Sequence, residues 1–412
     1  MQTFALKRHF VFCGWVDTKK NSTPYFSNIN ITLFSHMTQP DSLREVISNF
    51  KVNVDIGSVR PFGNGHINDT FLLNDLDNSG QPGYLLQKVN HHIFKDIEGL
   101  MSNISLVTNH LREQYKVMDY VNPEERVLRL VPAYNGIYYY KDQEGAFWRI
   151  YHYLKGTNSY DIVSTEKQAY EGGKAFGNFQ ATLADLNAEL LVATIPDFLN
   201  MEKRLQAFEA AVVADSEGRV EEVEAQIKFV RDRAAAMCYF QFPENIANIP
   251  LRVTHNDTKF NNILLDQQDE AQCVIDLDTV MPGYIAYDFG DAIRSIINTA
   301  AEDEADLSKI NLNIPLFRAY TDGYFYEAGD FITPEEIDSL MVGVLLLPYM
   351  QAVRFLTDYL DGDHYYKIHF EGHNLQRTNA QIQLVLKLEE HQHELAAIID
   401  EEKSNLYTKT QN

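Results

Sequence analysis

The stretch "THNDTKFNN" (residues 254–262) and the run "VIDLD" (274–278) decide how this chain is read. Asp257 follows His255 by two positions, and Asn262 follows Asp257 by five. A loop between two strands turns such side chains into one cleft. Alone, the stretch also reads as a polar turn whose Asn and Asp side chains cap the backbone. The second run adds weight. Asp276 ends an apolar strand and puts a carboxylate at its terminus, and Asp278, two residues on, shares its side of the chain.

Together these residues suit phosphoryl transfer, which needs few protein parts. Asp257 orients or deprotonates an attacking hydroxyl. Asn262 offers a neutral carbonyl oxygen to Mg²⁺, and Asp276 a carboxylate. Asp278 either joins the metal shell or orients its neighbours, and His255 braces the loop. Upstream, "PFGNGHINDTFLL" (61–73) places Gly63 and Gly65 in a turn before a strand, where backbone N–H groups can approach a phosphate. A plain hairpin turn is the simpler reading of that segment alone. Lys88 stands in the apolar strand "LLQKVN", where a lysine is unexpected. With Glu98 on the following helix it would form a pair over the nucleotide phosphates.

The surrounding pattern is strand-rich, then helical. "FLLND" (71–75), "GYLLQKV" (83–89), "GIYYYKD" (136–142) and "AFWRIYHYL" (146–154) predict strands, separated by turn clusters at 74–83 and 141–145. Between them, Ile97, Leu100, Met101, Ile104, Val107 and Leu111 recur at helical spacing. Helical stripes follow at 166–186 and 219–237, a strand-rich island at 251–278, and helices from ~288 to ~400. The expected organisation is an extension over 1–36, a small β-rich N-lobe over 37–154 and a larger helical C-lobe over 155–412.

Composition limits the partners. The 412 residues carry a net charge of −23, which repels nucleic acid and anionic membranes. No apolar run reaches ~18 residues, so no membrane span is expected. "LMVGVLLLPYM" (340–350) reads as a buried helix. The three cysteines, Cys13, Cys238 and Cys273, are widely spaced, which fits a reducing, cytoplasmic compartment. No H-E-x-x-H occurs among the 13 histidines, so zinc is not implied.

The stretches "GNGHINDTFLL", "HNDTKFNNILLD", "VIDLDTVMPGYIAYDFGDAIRS" and "RFLTDYLDGDHYYKIHFEGHNLQR" resemble the aminoglycoside phosphotransferase and choline kinase superfamily. Within it they resemble bacterial N-acetylhexosamine 1-kinases most. The resemblance covers roughly residues 45–395. It implies an α+β, two-lobed, protein-kinase-like fold, with ATP and Mg²⁺ as cofactors and a small sugar as partner. Asp257 would be the catalytic carboxylate, Asn262 and Asp276 the metal ligands, and Lys88 the phosphate lysine. Residues 150–156 would be the adenine hinge and Asp288 a brace of the catalytic loop. Arg354 and Tyr365 would line the sugar pocket, with His66 and Asp69 as neighbours. From the residues alone, Arg354 also suits a surface ion pair with Asp358.

Only eleven residues separate Asp276 from Asp288, which leaves little room for a peptide platform. The acceptor should be small: an N-acetylhexosamine phosphorylated on its anomeric hydroxyl, or an aminoglycoside, choline or homoserine. A catalytically silent kinase fold acting as a binding protein is the alternative of a different class. A monomer is favoured.

Overall fold

Alternating apolar residues between residues 54 and 152 build one antiparallel sheet. The computed structural model describes residues 40–63, 67–78, 80–118 and 122–409. The extension at 1–36, together with Gly65 and His66, lies outside the described residues. After helix α1 (Pro40–Ser48) come β1 (Val54–Pro61), β2 (Asp69–Asp75) and β3 (Gln81–Val89) as successive antiparallel neighbours. Then follow α2 (Ile97–Val117), β4 (Leu130–Val131), β5 (Tyr140–Lys141) and β6 (Phe147–His152). The sheet order is β1-β2-β3-β6-β4, with β5 paired to β6 off this path.

Register decides which side chains meet. Gln87 pairs with Thr70 and Arg149, and Lys88 pairs with Asp69 and Trp148. Successive side chains leave opposite faces of a sheet. Thr70, Gln87 and Arg149 therefore share one face, and Asp69, Lys88 and Trp148 the other. α2 packs on the Gln87 face: all six of its expected stripe residues are buried, clustered with Val89 and Tyr151. Asp96 caps α2 by accepting from the Gly99 N–H at 2.9 Å. The strand expected over 136–142 shrinks to Tyr140–Lys141, because a turn takes its first half. There Ala133 N–H donates to Ile137 O at 2.7 Å, and Gly136 adopts a left-handed φ of 88°.

Beyond β6 the chain is mostly helical: α3 (Glu166–Thr182), α4 (Met201–Ala214), α5 (Glu224–Met237), α6 (Pro243–Ile246), α7 (Ile285–Ile296), α8 (Ile314–Ala328), α9 (Pro334–Leu360), α10 (His373–Glu390) and α11 (Gln392–Lys409). The expected strand island appears as two short ribbons. β7 (Arg252–Thr254) pairs with β10 (Met281–Gly283), and β8 (Ile263–Leu265) pairs with β9 (Ala271–Val274). This is the mixed α+β arrangement read from the sequence, a sheet region followed by a mainly helical one.

α9 absorbs the apolar run at 340–350. By length and composition alone this 27-residue helix could cross a membrane, yet 67% of its most apolar window is buried inside the protein. Its start is fixed by a capping box between Thr333 and Glu336. Its middle crosses α7 with almost no space between the backbones. A Cβ on Gly290 would stand 2.2 Å from Gly343 O, and one on Gly343 would stand 1.9 Å from Ala286 O. Neither oxygen can move without displacing a helix. Gly343→Ala should therefore cost about 1–3 kcal/mol or more of folding stability, as overpacked cores do. Urea denaturation measures this; a wild-type midpoint would show that the crossing tolerates a side chain.

Candidate active site

The loop after β7 is held from below by one buried carboxylate. Asp288, in the first turn of α7, accepts the His255 N–H at 2.8 Å and the Asn256 N–H at 2.7 Å. Gln180 of α3 donates to it at 2.8 Å, and the Thr258 hydroxyl donates to Asp288 O at 2.5 Å. Burial is the largest influence on the Asp288 carboxyl and keeps it above the ordinary range despite these donors. Asn256 takes a left-handed φ of 63°, a conformation Asn tolerates better than most residues. Its side chain donates to Thr279 O at 3.0 Å, tying the loop to the segment after Asp276.

His255 is fully buried between the edges of Phe176 and Phe179. Its Nε2 lies 2.8 Å from Ile275 O, and a carbonyl only accepts, so Nε2 carries the proton. Nδ1 is then free to accept the Asp257 N–H at 3.3 Å. The histidine thus links the catalytic loop to β9, as a brace and not as a base.

Asp257 sits above this platform with its side chain 25% exposed. Lys259 Nζ stands 3.2 Å from its Oδ1, and Asn262 donates to Asp257 O at 2.8 Å and to Oδ2 at 3.2 Å. Burial pushes the Asp257 carboxyl up, but the Lys259 ammonium beside it more than offsets this, so it rests below its usual value. Asp257 in turn holds the Lys259 ammonium above the ordinary lysine range. Lys259 was not singled out in the sequence. Its signal was its place two residues past Asp257, pointing to the same side of an extended segment.

Asn262 turns its amide NH₂ to Asp257, which leaves its carbonyl oxygen for a cation. Asp276 has a left-handed φ of 59° and an exposed side chain. Although open at the surface, it is crowded by protein. That enclosure first, then the Asp278 and Asp257 carboxylates, push its carboxyl up to about 6. One amide oxygen and one free carboxylate fit Mg²⁺, which commonly arrives with substrate phosphates and keeps waters. Among the described residues, no group of three or more His, Cys, Asp or Glu gathers as a dedicated metal cage.

Asp278 has a different task. Its carboxylate is buried, with Arg149 NH1 2.6 Å from Oδ1 and Arg149 NH2 2.9 Å from Oδ2. Asn68 also donates to Oδ2, at 2.7 Å. Neither Arg149 nor Asn68 was anticipated. Arg149 left a trace in the sequence: a charge amid the aromatic run "AFWRIYHYL" must be paired if that strand is buried.

The expected Lys88–Glu98 pair does not form. The period of two turns Lys88 to the face opposite Gln87, where its Nζ stands 5.6 Å from the centre of the Trp148 ring. Glu98 instead accepts from the Tyr139 hydroxyl at 3.3 Å. Asp69 is exposed and shares the Lys88 face, so its neighbour Asn68 is the residue that reaches the Asp278 turn. Gly63 does adopt a turn conformation, with φ of 74° and open space where a Cβ would lie.

Arg354 is half-buried among the rings of Phe198, Tyr365 and Tyr366, at 5.6, 5.9 and 5.4 Å. The surface ion pair with Asp358 is absent. Asp358 instead accepts the N–H groups of Tyr365 and Tyr366 and the Asn374 amide, at 2.7, 2.9 and 2.8 Å. Arg354 donates to Gln351 at 2.9 Å. Arg204 stands near it and donates to Phe198 O. Burial first, then Arg354, hold the Arg204 guanidinium below its usual value. Among the described residues, neither arginine forms an ion pair with a carboxylate. Arg294, paired with Asp291 at 2.8 Å and Glu302 at 2.6 Å, interacts electrostatically with both Asp257 and Arg354, and so joins Arg354 to the catalytic loop.

The fold is similar to those of known proteins. An aminoglycoside phosphotransferase from Alicyclobacillus acidocaldarius is similar over 90% of this chain and 99% of its own, at 13% identity and a TM-score of 0.59. A spectinomycin phosphotransferase solved with ADP and spectinomycin is similar over 82% and 95%, at 10% identity and a TM-score of 0.54. A microcompartment-associated aminopropanol kinase is similar over 89% and 99%, at 12% identity and a TM-score of 0.52. At such identities the likeness is one of fold. The profile of the phosphotransferase enzyme family reaches further into the sequence, matching residues 58–324. That span holds the sheet, the Asp257 loop and the Asp276 turn, and covers more than half of the chain: the protein belongs to the phosphotransferase enzyme family.

Proposed function

We propose that this phosphotransferase uses MgATP to phosphorylate a small sugar, an N-acetylhexosamine, on its anomeric hydroxyl. The observation that carries the reading is the fate of the segment after Asp276. Residues 277–279 form a tight turn, 281–283 pair with β7, and α7 begins at Ile285. No length remains for a peptide-binding platform, so the acceptor is a small molecule.

The charge on the acceptor wall narrows the class. Arg354 and Arg204, near each other and coupled to the catalytic loop through Arg294, would line the acceptor side, and neither forms an ion pair with a carboxylate among the described residues. Such a wall repels a polycationic aminoglycoside or a choline cation. A neutral sugar suits it: a planar guanidinium donates paired hydrogen bonds to hydroxyl or acetamido oxygens, and Tyr365, 60% exposed, offers a ring face.

In this reading Asp257 accepts a hydrogen bond from the anomeric hydroxyl and takes its proton as the sugar oxygen bonds to the γ-phosphorus and the bond from that phosphorus to ADP breaks, ADP leaving. Lys259 neutralises charge between Asp257 and the transferred group. Asn262 and Asp276 would hold the Mg²⁺ that neutralises the nucleotide phosphates. The residues after β6 would carry the adenine. Catalysis then rests on positioning and charge neutralisation.

Two experiments test this. Asp257→Asn should lower kcat about 10²- to 10⁴-fold, the usual worth of a positioned general base, at an unchanged melting temperature. Wild-type turnover in that variant would remove Asp257 from the reaction. The acceptor is found by an ATP-consumption screen over neutral sugars, amino sugars, choline, homoserine and aminoglycosides, with the phosphate position read by NMR. Arg354→Ala should then raise the acceptor KM about 10- to 100-fold, the worth of a hydrogen bond from a charged donor, and leave the ATP KM within about twofold. Equal increases in both would place Arg354 in the fold and not in the pocket.

A further inference from the structure

Protein kinases fix their nucleotide side with a lysine on the third strand paired to a glutamate on the next helix. That pair has no counterpart among the described residues here. The α2-facing residue of β3 is Gln87, Lys88 points the other way, and Glu98 belongs to Tyr139. The same face does carry a buried cation, one strand further over.

We propose that Arg149 takes the place of that lysine as a positioning residue: by gripping Asp278 it fixes the turn that aims Asp276 at a nucleotide-bound divalent cation. This rests on the phosphotransfer reading above. The side chains of Arg149 and Asp278 are 2% and 4% exposed, too enclosed to touch a ligand. Arg149 holds Asp278 by one hydrogen bond, NH2 to Oδ2 at 2.9 Å, while NH1 stands 2.6 Å from Oδ1 as an ion-pair contact. The third nitrogen is anchored in the sheet: Nε donates to Gln87 Oε1 at 2.9 Å, and Gln87 donates to Thr70 at 3.1 Å. Asn68 adds a further donor to Asp278 at 2.7 Å, while its own carbonyl oxygen accepts the Asn90 N–H at 3.0 Å.

Asp278 is thereby turned wholly toward the sheet. That assigns it to holding the turn and leaves Asp276 as the carboxylate open to the cleft. The turn needs holding, because Asp276 sits in a left-handed conformation that favours glycine. Two carboxylates two residues apart also repel each other. Arg149 neutralises one of them and so keeps the pair in place when no cation is bound.

The test uses Mn²⁺ as the probe and reads binding, not turnover. Arg149→Lys keeps the charge but loses the guanidinium. In a paramagnetic-resonance titration with ADP present, its Mn²⁺ dissociation constant should rise about tenfold or more, as when partners behind metal ligands are changed. ADP affinity measured calorimetrically in EDTA should stay within about twofold. Unchanged Mn²⁺ affinity in a folded Arg149→Lys overturns the proposal. So does a loss in Asp278→Asn that Arg149→Lys does not share, since Asp278 would then be a ligand itself. Should Arg149→Lys fail to fold, Gln87→Met frees Nε and keeps the ion pair. It should weaken Mn²⁺ about threefold, a fraction of the effect of losing the guanidinium, and no change there is equally fatal. A wild-type protein that binds no ADP, with or without Mn²⁺, would instead overturn the phosphotransfer reading beneath it.

Discussion

The site depends first on the buried carboxylate of Asp288. A carboxylate out of water is tolerated only when its oxygens are met by donors. Here the donors are the backbone N–H groups of His255 and Asn256 and the amide of Gln180. Satisfying Asp288 therefore sets the path of the catalytic loop. The support runs deep into the helices. Tyr324 of α8 donates to Gln180, whose amide then points at Asp288. α7 carries Asp288 and is pressed on α9 at the Gly290–Gly343 crossing. The loop is precise because its anchor stands at the meeting point of α3, α7 and α8, all within the main core.

Charge is sorted across the molecule. A chain with net charge −23 would repel a nucleotide if its charge were evenly spread. Several of its bases instead gather around the Asp257 loop and its neighbours: Lys259 at Asp257, Arg149 behind the Asp276–Asp278 turn, and Arg204, Arg294 and Arg354 coupled to one another nearby. Two of them, Arg149 and Arg294, are buried and matched by acids, which fixes their geometry. Two others, Arg204 and Arg354, form no ion pair with a carboxylate among the described residues. The same residue type thus sits in two settings, enclosed and paired in one place and without a carboxylate partner in the other.

Much of this was legible in the sequence. The α2 stripe, the sheet runs and the helical remainder follow from periodicity, which reports burial directly. The Asp257, Asn262 and Asp276 cluster was legible because its spacing fits one loop and one strand end. The errors were errors of face and of partner. Lys88 and Gln87 are adjacent, so strand identity alone cannot say which points at α2; the register to β6 decides it. Glu98 is in the first turn of α2, but Tyr139 comes from a segment that forms a turn where the aromatic run suggests a strand. Arg149, Asn68 and Arg204 meet their neighbours across long sequence separations, and no local pattern encodes such contacts.

Moving the buried cation from β3 to β6 changes how α2 can be coupled to the site. A lysine–glutamate pair would tie that helix to the sheet by charge. In its absence another bond connects α2 to the metal turn. Asn103, 2% exposed within the apolar stripe, donates to Val280 O at 2.9 Å and to Val192 O at 2.8 Å, and accepts the Val192 N–H at 3.0 Å. All of these partners are neutral, so the connection does not switch with charge and gains little from rotating the helix. Arginine suits the other half of the exchange. It stays protonated when wholly enclosed, where a lysine would be pressed to lose its proton, and its planar fork matches a carboxylate. A site built this way is preassembled: Arg149 and Asn103 hold the 276–280 segment from two sides, which leaves the exposed Asp276 carboxylate as its open group.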